Sequence, residues 1–523
     1  MSRLEIASPK KAKIVMEGLY KDLERRIESS PPGLCPVDMA RAFLELCHAQ
    51  TCGKCVPCRI GLGQLNNFIR EVLDGKATMK TLDIMEQTAL SIMESADCAI
   101  GYEAANMVYK GLIGYRDDYV EHIQNGRCTC TYNQPVPCVS LCPAHVDIPG
   151  YVALVGEGRY ADAIRLLRKD NPFPTTCGFI CEHPCEARCR RNMVDDSINI
   201  RGLKRVAADF AGEVDPPQCA PSTGKKIAIL GGGPGGLSAA YYLQLMGHQT
   251  TVYEMLPKLG GMLRYGIPNY RLPKDRLDDD IRAILKTGVQ VKNGLKIGQD
   301  ITIQQLRQEY DVVLITIGAS TDKKLGLENE DADGILSAVQ FLRNVGKNQI
   351  MDLTGKEVAV IGGGNVSMDA VRTAKRLGAK KVSIVYRRRV ADMTALPGEI
   401  DGAVAEGIEL QTLKAPSSID VDENHHVKGI YVTPQMVSSI RDGRASIKPT
   451  GEEDIYIPCD VLIVAIGQNI ETHHFEQAGI PVERGKIVTK STGAFENLPG
   501  VFAGGDCASG PASVIKAIAA AKV

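Results

Sequence analysis

The run Lys226-Ile-Ala-Ile-Leu-Gly-Gly-Gly-Pro-Gly-Gly-Leu-Ser-Ala-Ala-Tyr-Tyr-Leu243 restricts the possible folds of this chain more than any other stretch. An apolar segment of strand length meets glycines at Gly231, Gly233 and Gly236. It continues into a helical pattern through Met246 and returns as a second strand, Gln249 to Tyr253, closing on Glu254. In such a strand, turn, helix, strand unit the first glycine permits the turn and the second lets backbone approach a diphosphate. The third lets helix pack close on strand, with the diphosphate at the helix N-terminus beside Pro234. An acid at the end of the second strand accepts hydrogen bonds from the ribose hydroxyls. A glycine fingerprint alone is weak, but here strand, helix and terminal acid all stand where a dinucleotide needs them.

A second unit follows as Glu357-Val-Ala-Val-Ile-Gly-Gly-Gly-Asn-Val-Ser367, with its own helix to Leu377 and second strand from Lys381 to Tyr386. Gly362, Gly364 and Asn365 form its candidate phosphate turn, and Ser367 replaces the third glycine. The two units differ where the ribose would lie: Glu254 ends the second strand of the first, Arg387-Arg-Arg389 that of the second. A carboxylate suits a free 2′-hydroxyl, whereas guanidinium groups bind a 2′-phosphate bidentately. The first unit therefore suits FAD and the second NADPH, with Arg387 and Arg388 as the phosphate-reading residues. The alternative is a solvated basic turn. The strand Asp311-Val-Val-Leu-Ile-Thr-Ile-Gly318 is echoed by Asp460-Val-Leu-Ile-Val-Ala-Ile-Gly467 on the far side of the second unit. One nucleotide-binding domain is thus expected to be inserted into another.

Upstream of both units the informative residues are cysteines. The chain has 17 in 523 residues, and twelve fall into two groups before residue 190. In a large chain without the apolar core of a signal peptide, metal ligation is the better reading than disulfides. Cys52, Cys55 and Cys58 stand at two-residue spacings, and two helical patterns bring the chain back to Cys98. Zinc would show two separated pairs. A close triplet plus a distant cysteine favours a four-iron cluster. The second group comprises Cys128, Cys130, Cys138, Cys142, Cys177, Cys181, Cys185 and Cys189, enough for two more four-iron clusters. That one or two of these eight are merely buried thiols stays open. A formal charge of −1, without basic stretches interleaved with aromatics, argues against a nucleic-acid partner. No run of eighteen apolar residues suggests membrane insertion, so a soluble, cytoplasmic protein is expected.

Thr51-Cys-Gly-Lys-Cys-Val-Pro-Cys-Arg59, two helices and then Cys98 resemble the C-terminal iron–sulfur domain of the NADH-binding subunit of complex I, over about residues 40 to 115. From about residue 127 onward, the cysteine block and the nested nucleotide units resemble the glutamate synthase small-subunit family. That family includes the NADPH-binding subunit of electron-bifurcating transhydrogenases and the N-terminal half of dihydropyrimidine dehydrogenase. The resemblance implies interleaved clusters, one on Cys128, Cys130, Cys138 and Cys189, the other on Cys142, Cys181, Cys185 and one more ligand. Two departures stand out. Cys128-Thr-Cys130 replaces the usual Cys-x2-Cys, and Lys204 stands where some relatives offer an oxygen ligand, which leaves Cys177 or a nearby Glu as substitutes. The resemblance also lays the loop Leu259-Gly-Gly-Met-Leu-Arg-Tyr-Gly-Ile-Pro-Asn-Tyr-Arg-Leu-Pro273, with Gly261, along the flavin. It places Gly505 and Asp506 at the flavin ribitol, with the helix that follows pointing its N-terminus toward the flavin pyrimidine.

The expected fold class is an α/β two-dinucleotide-binding flavoprotein with nested Rossmann-like domains, preceded by two mainly helical iron–sulfur domains. The expected boundaries are 1–126 for an arm or docking helix with the complex-I-like domain, and 127–222 for the di-cluster domain. Residues 223–340 and 461–523 would form the two parts of the FAD domain, and 341–460 the inserted NADPH domain. FAD, NADP(H) and three 4Fe–4S clusters are the expected cofactors. Hydride transfer between such cofactors needs alignment rather than a protein acid or base, so no catalytic side chain is expected. A disulfide reductase would need a close cysteine pair, and only Cys459 and Cys507 occur after residue 225. The favoured role is an NADPH-linked subunit of a multi-subunit, transhydrogenase-type complex, electron bifurcation included among its candidate activities, whose partners would be an NADH-reactive flavoprotein or a ferredoxin-linked subunit. The alternative is a glutamate synthase small subunit feeding a separate amidotransferase. A cofactor-free scaffold is the third reading, and near-complete motifs argue against it.

Overall fold

Two five-stranded parallel sheets organise the nucleotide-binding part of the chain. The computed structural model describes residues 9–28, 35–126, 136–441 and 444–522. They fall into two compact units, Met1–Ile148 with His183–Ile200, and Pro149–Glu182 with Arg201–Val523.

In the second unit the first sheet has the order Val501–Ala503, Val312–Ile315, Lys226–Leu230, Gln249–Glu254, Gln290–Asn293. All its pairings are parallel. Ile227 to Leu230 are all buried, as expected of a parallel strand covered on both faces. The second sheet repeats the plan with Ile335–Ser337, Val461–Val464, Glu357–Ile361, Lys381–Tyr386 and Glu409–Thr412. Here the structure corrects the boundaries read from sequence. Val461–Val464 lies between Ile335–Ser337 and Glu357–Ile361, so the inserted sheet reaches past residue 460 and begins before 341. Each echo strand pairs with the first strand of its own unit. A third, antiparallel sheet contains Lys414–Val421, Val427–Arg441, Arg444–Pro449 and Ile455–Pro458. Its Ile419, Ile430 and Val432 pack with Ile361 and Leu462 of the second sheet.

Helices build the first unit. Pro36–Ala49, Leu62–Leu73, Met79–Ser95, Ala99–Gly114 and Arg116–Asn125 share a core that includes Phe43, Leu65, Leu82 and Val108. Pro9–Glu28, read from sequence as an arm or docking helix, buries Ala12, Met16, Leu19 and Leu23 in the same core. That three-and-four spacing is one helical face, and Tyr20 stacks 5.0 Å from Phe43. The stripe is satisfied by its own domain. Among the described residues no helix is long and apolar enough to cross a membrane.

Candidate functional site

The first nucleotide cradle is assembled by close backbone approach. Gly231 has φ of +111°, and a Cβ there would stand 2.5 Å from the Thr316 carbonyl oxygen. A Cβ on Gly236 would stand 2.0 Å from the Gly231 oxygen, so the helix Pro234–Leu245 can begin only where no side chain intervenes. Glu254 ends its strand 5% exposed. Its carboxylate accepts from the backbone N–H of Gly232 at 2.8 Å and of Leu256 at 2.7 Å. Burial pushes its pKa above the usual carboxylate range, and the backbone donors oppose that shift. Gly261 backs onto this turn, since a Cβ there would lie 2.8 Å from the Gly233 Cα. The cleft is lined by Gly231, Gly233, Pro234, Glu254, Gly261, Gly505 and Asp506 together. Asp506 opens a short helix after Gly505, and burial raises its carboxyl as well.

Side chains outside any motif also line this cleft. Arg343, on the helix Ala338–Gly346, donates to the Ser320 carbonyl at 2.5 Å, and its Nε is buried with no partner. Lys296 and Glu471 pair at 2.7 Å beside His474. Each comes from a segment with no recognisable spacing, so sequence patterns offer no signal for them. Cys507 turns inward and is fully buried. Its thiol donates to the carbonyls of Gly504 and Ile315, and burial pushes its pKa up to about 11.

The second cradle repeats the construction. Gly362 has φ of +143°, with the Ala465 oxygen 2.3 Å from a would-be Cβ, and Gly364 caps the helix Asn365–Arg376. Asn365 accepts from the Leu396 N–H at 3.0 Å and donates to Glu182 at 3.3 Å. Ser367 is fully buried against the turn, and its Oγ has no partner. The three arginines after Tyr386 differ. Arg389 is paired with Asp392 at 2.9 and 3.0 Å, and this pairing holds the aspartate at about 2. Arg388 donates through Nε to the Ala445 carbonyl at 3.1 Å. Arg387 is exposed and has no partner among the described residues.

In the first unit Cys52, Cys55 and Cys58 precede the helix Leu62–Leu73, and Cys98 caps the helix Ala99–Gly114. Cys52, Cys55 and Cys98 all lie within electrostatic reach of Cys58. Cys58 is pushed up to about 12 by burial first, then by a hydrogen bond with Cys55 and by the charges of Cys55, Cys98 and Cys52. A Cβ on Gly101 would stand 2.6 Å from Cys58 Sγ, so the missing side chain leaves room for that sulfur. No trio of His, Cys, Asp or Glu among the described residues converges tightly enough to hold a single metal ion.

In the second cysteine group, burial raises Cys138, as do the charges of Cys189 and Cys142, which places both near Cys138. Cys189 Sγ accepts from the Ile198 N–H at 3.5 Å, and Cys185 is buried in the same unit. Cys177 and Cys181 belong to the other unit. Cys177 is fully buried and its thiol is raised by burial and then by the Cys181 charge, while the buried Lys204 opposes this. The Lys204 ammonium stands 5.9 Å from the Tyr151 ring centroid. The helix Pro174–Ile180 that carries Cys177 is tied to the nucleotide part, because Thr175 and Thr176 N–H groups donate to buried Asp280 at 3.3 and 2.7 Å. Cys128 and Cys130 lie outside the described residues.

Three family descriptions match this chain: pyridine nucleotide-disulphide oxidoreductase over residues 225–521, the NADH-ubiquinone oxidoreductase-F iron–sulfur binding region over 38–122, and dihydropyrimidine dehydrogenase domain II, 4Fe-4S cluster, over 114–215. The NADP(+)-dependent formate dehydrogenase subunit beta of Moorella thermoacetica is 32% identical, covering 92% of this chain and 77% of the relative. The NADPH-Fe(3+) oxidoreductase subunit beta of Geobacter sulfurreducens is 34% identical over 93% of this chain and 77% of its own length. The glutamate synthase [NADPH] small chain of Escherichia coli is 34% identical over 73% of this chain and 85% of its own.

Proposed function

Because this chain belongs to the pyridine nucleotide-disulphide oxidoreductase family, with iron–sulfur regions ahead of its nucleotide-binding part, we propose that it is an NADPH-dependent iron–sulfur flavoprotein subunit. It would exchange electrons between NADPH, FAD, three 4Fe–4S clusters and a partner subunit. When bound, the flavin exchanges an electron pair with the nicotinamide and single electrons with the clusters. The observation that carries the reading is the contrast at the ends of two equivalent strands, buried Glu254 in the first cradle and, in the second, Arg387, which has no partner among the described residues. In the first cradle the Gly231 turn would receive the FAD diphosphate, Glu254 its ribose, and Asp506 would face the ribitol. In the second, the Gly362–Gly364 turn and Asn365 would hold the NADPH diphosphate, with Arg387 and Arg388 on the 2′-phosphate.

The family name includes disulfide reduction, which needs a redox-active thiol pair at the flavin. Cys507 is buried with a raised pKa, and Cys459 lies in the core of the second and third sheets. Electrons therefore leave through the cysteine-rich regions. For the first of these, the match to an iron–sulfur binding region over 38–122 and the nearness of Cys52, Cys55 and Cys98 to Cys58 support a cluster, in which each thiolate binds a separate iron.

The beta subunits of the formate dehydrogenase and the Fe(3+) oxidoreductase match over 92–93% of this chain, and the glutamate synthase chain over 73%. This favours a multi-subunit redox complex over amidotransferase supply. The complex-I-like region supports a transhydrogenase-type arrangement with an NADH-reactive flavoprotein or a ferredoxin-linked subunit. Anaerobic purification with iron and flavin quantitation, followed by NADPH and NADH titration, tests the reading. About twelve irons and one FAD per chain, with NADPH preferred, are expected. Zinc in place of iron, or equal use of both nucleotides, would refute it.

A further inference from the structure

A charged network joins the two nucleotide-binding parts. It begins on the loop Leu259–Pro273, which leaves the first cradle at Gly261 and runs into the helix Lys274–Leu285. Near the end of this loop the Arg271 guanidinium reaches Asp369 at 2.7 Å and Glu399 at 3.1 Å. Asp369 lies one turn into the helix Asn365–Arg376, whose N-terminus forms the second cradle. Glu399, on the helix Pro397–Ala405, also binds Arg372 at 2.6 Å, and Arg372 binds Glu406 at 2.9 Å. The neighbouring Tyr270 inserts its ring under Arg376, 3.9 Å from the centroid, and under Arg372 at 5.2 Å.

The side chains of Arg271 and Asp369 are only 11% and 5% exposed. A surface ion pair stabilises little and tolerates many geometries. A buried guanidinium bridging carboxylates on two helices allows few, and removing Asp369 leaves Arg271 held by Glu399 alone. Its two ends belong to the two elements whose separation sets how a nicotinamide would meet a flavin.

We infer that Arg271 and Asp369 form a positioning pair that holds the NADPH cradle in register with the flavin loop for hydride transfer. This rests on the assignment of the second cradle to NADPH. Neither residue exchanges a proton or electron. Their part is to fix alignment, where a displacement of about 1 Å can lower the rate by roughly 100-fold.

The test is anaerobic stopped-flow reduction of the FAD-loaded full chain by NADPH, with dithionite as a donor that needs no alignment. In Asp369→Ala the limiting rate with NADPH should fall about tenfold or more. NADPH dissociation constant, FAD content and dithionite reduction should stay near wild type. Asp369→Asn, which retains an acceptor oxygen, should recover part of the rate, and Arg271→Lys should fall between it and wild type. Limiting rates within about twofold of wild type in both Asp369→Ala and Arg271→Lys would overturn the pairing role. Loss of FAD, or an equal slowing with dithionite, would overturn it too by showing that the pair only maintains the fold. A wild-type flavin that NADPH cannot reduce would instead remove the assignment of the second cradle, and the pairing role with it.

Discussion

Arg387, Arg388 and Arg389 are adjacent in sequence and do three different things. Arg389 is committed to Asp392, which also accepts the Ala445 N–H at 3.0 Å, and Arg388 is half committed through Nε to the Ala445 carbonyl. Of the three, only Arg387 presents a guanidinium with no partner among the described residues. A charge-assisted hydrogen bond contributes about 1.5–3 kcal/mol, or roughly 10- to 100-fold in affinity. Arg387→Ala should therefore weaken NADPH by about that factor and NADH by less than about threefold. Arg388→Ala should show the same preference with a smaller loss, because part of its hydrogen-bonding capacity is already engaged. Flavin reduction across a concentration series of each nucleotide measures both, and equal losses for NADPH and NADH would remove the 2′-phosphate assignment. Spacing alone locates such a basic triplet but cannot tell which member is free, because the partners Asp392 and Ala445 come from a 3-10 turn and a distant strand.

At the scale of elements, much of the architecture is legible because it rests on local periodicity. Both strand, turn, helix, strand units follow from apolar runs ending in glycines, and the echoed strands occupy equivalent places in the two sheets. The boundary between the nested parts is not legible, because Val461–Val464 is bounded by pairing with strands more than a hundred residues upstream. The Arg271–Asp369 contact escapes sequence for the same reason, since nothing local marks either residue. Cys98 stands near Cys58, as the spacing suggests, yet nothing in the sequence marks Gly101. Its open Cβ position, 2.6 Å from Cys58 Sγ and 2.9 Å from Ala96 Cβ, emerges only when the helix Ala99–Gly114 packs over the triplet. Gly101→Ala should displace Cys58 and lower bound iron by about four atoms per chain, read by iron assay and cluster absorbance. Gly63→Ala is the control. It lies in the helix Leu62–Leu73 with open space at Cβ, so it should keep its iron and gain about 0.5–1 kcal/mol of stability in thermal unfolding. Full iron in Gly101→Ala would show that the cluster region tolerates the shift.

For the whole molecule, the proposed order of electron carriers rests on what each part contains. Every residue assigned to NADPH or FAD lies within 225–521, the span matched by the nucleotide-oxidoreductase family, and that span has its own cores around the two parallel sheets. The Cys52, Cys55, Cys58 and Cys98 region has a separate helical core and a separate family match, 38–122. Chemistry between nicotinamide and flavin should thus survive loss of this cluster, while onward delivery should not. Cys55 is the informative position. It is only half-buried, unlike Cys58, and its thiol is held below the ordinary cysteine value: burial raises it, but backbone hydrogen bonds from Asp97 and Cys58 more than offset that. Serine matches its size and leaves the helical core in place. Cys55→Ser should bind about four irons fewer per chain and keep NADPH-dependent flavin reduction within about twofold of wild type. Electron delivery to the partner subunit should fall at least tenfold if this cluster is the exit. A folded variant in which flavin reduction fell together with the iron would place the cluster before the flavin, reversing the order. Full delivery without this cluster would assign the exit to the second cysteine group.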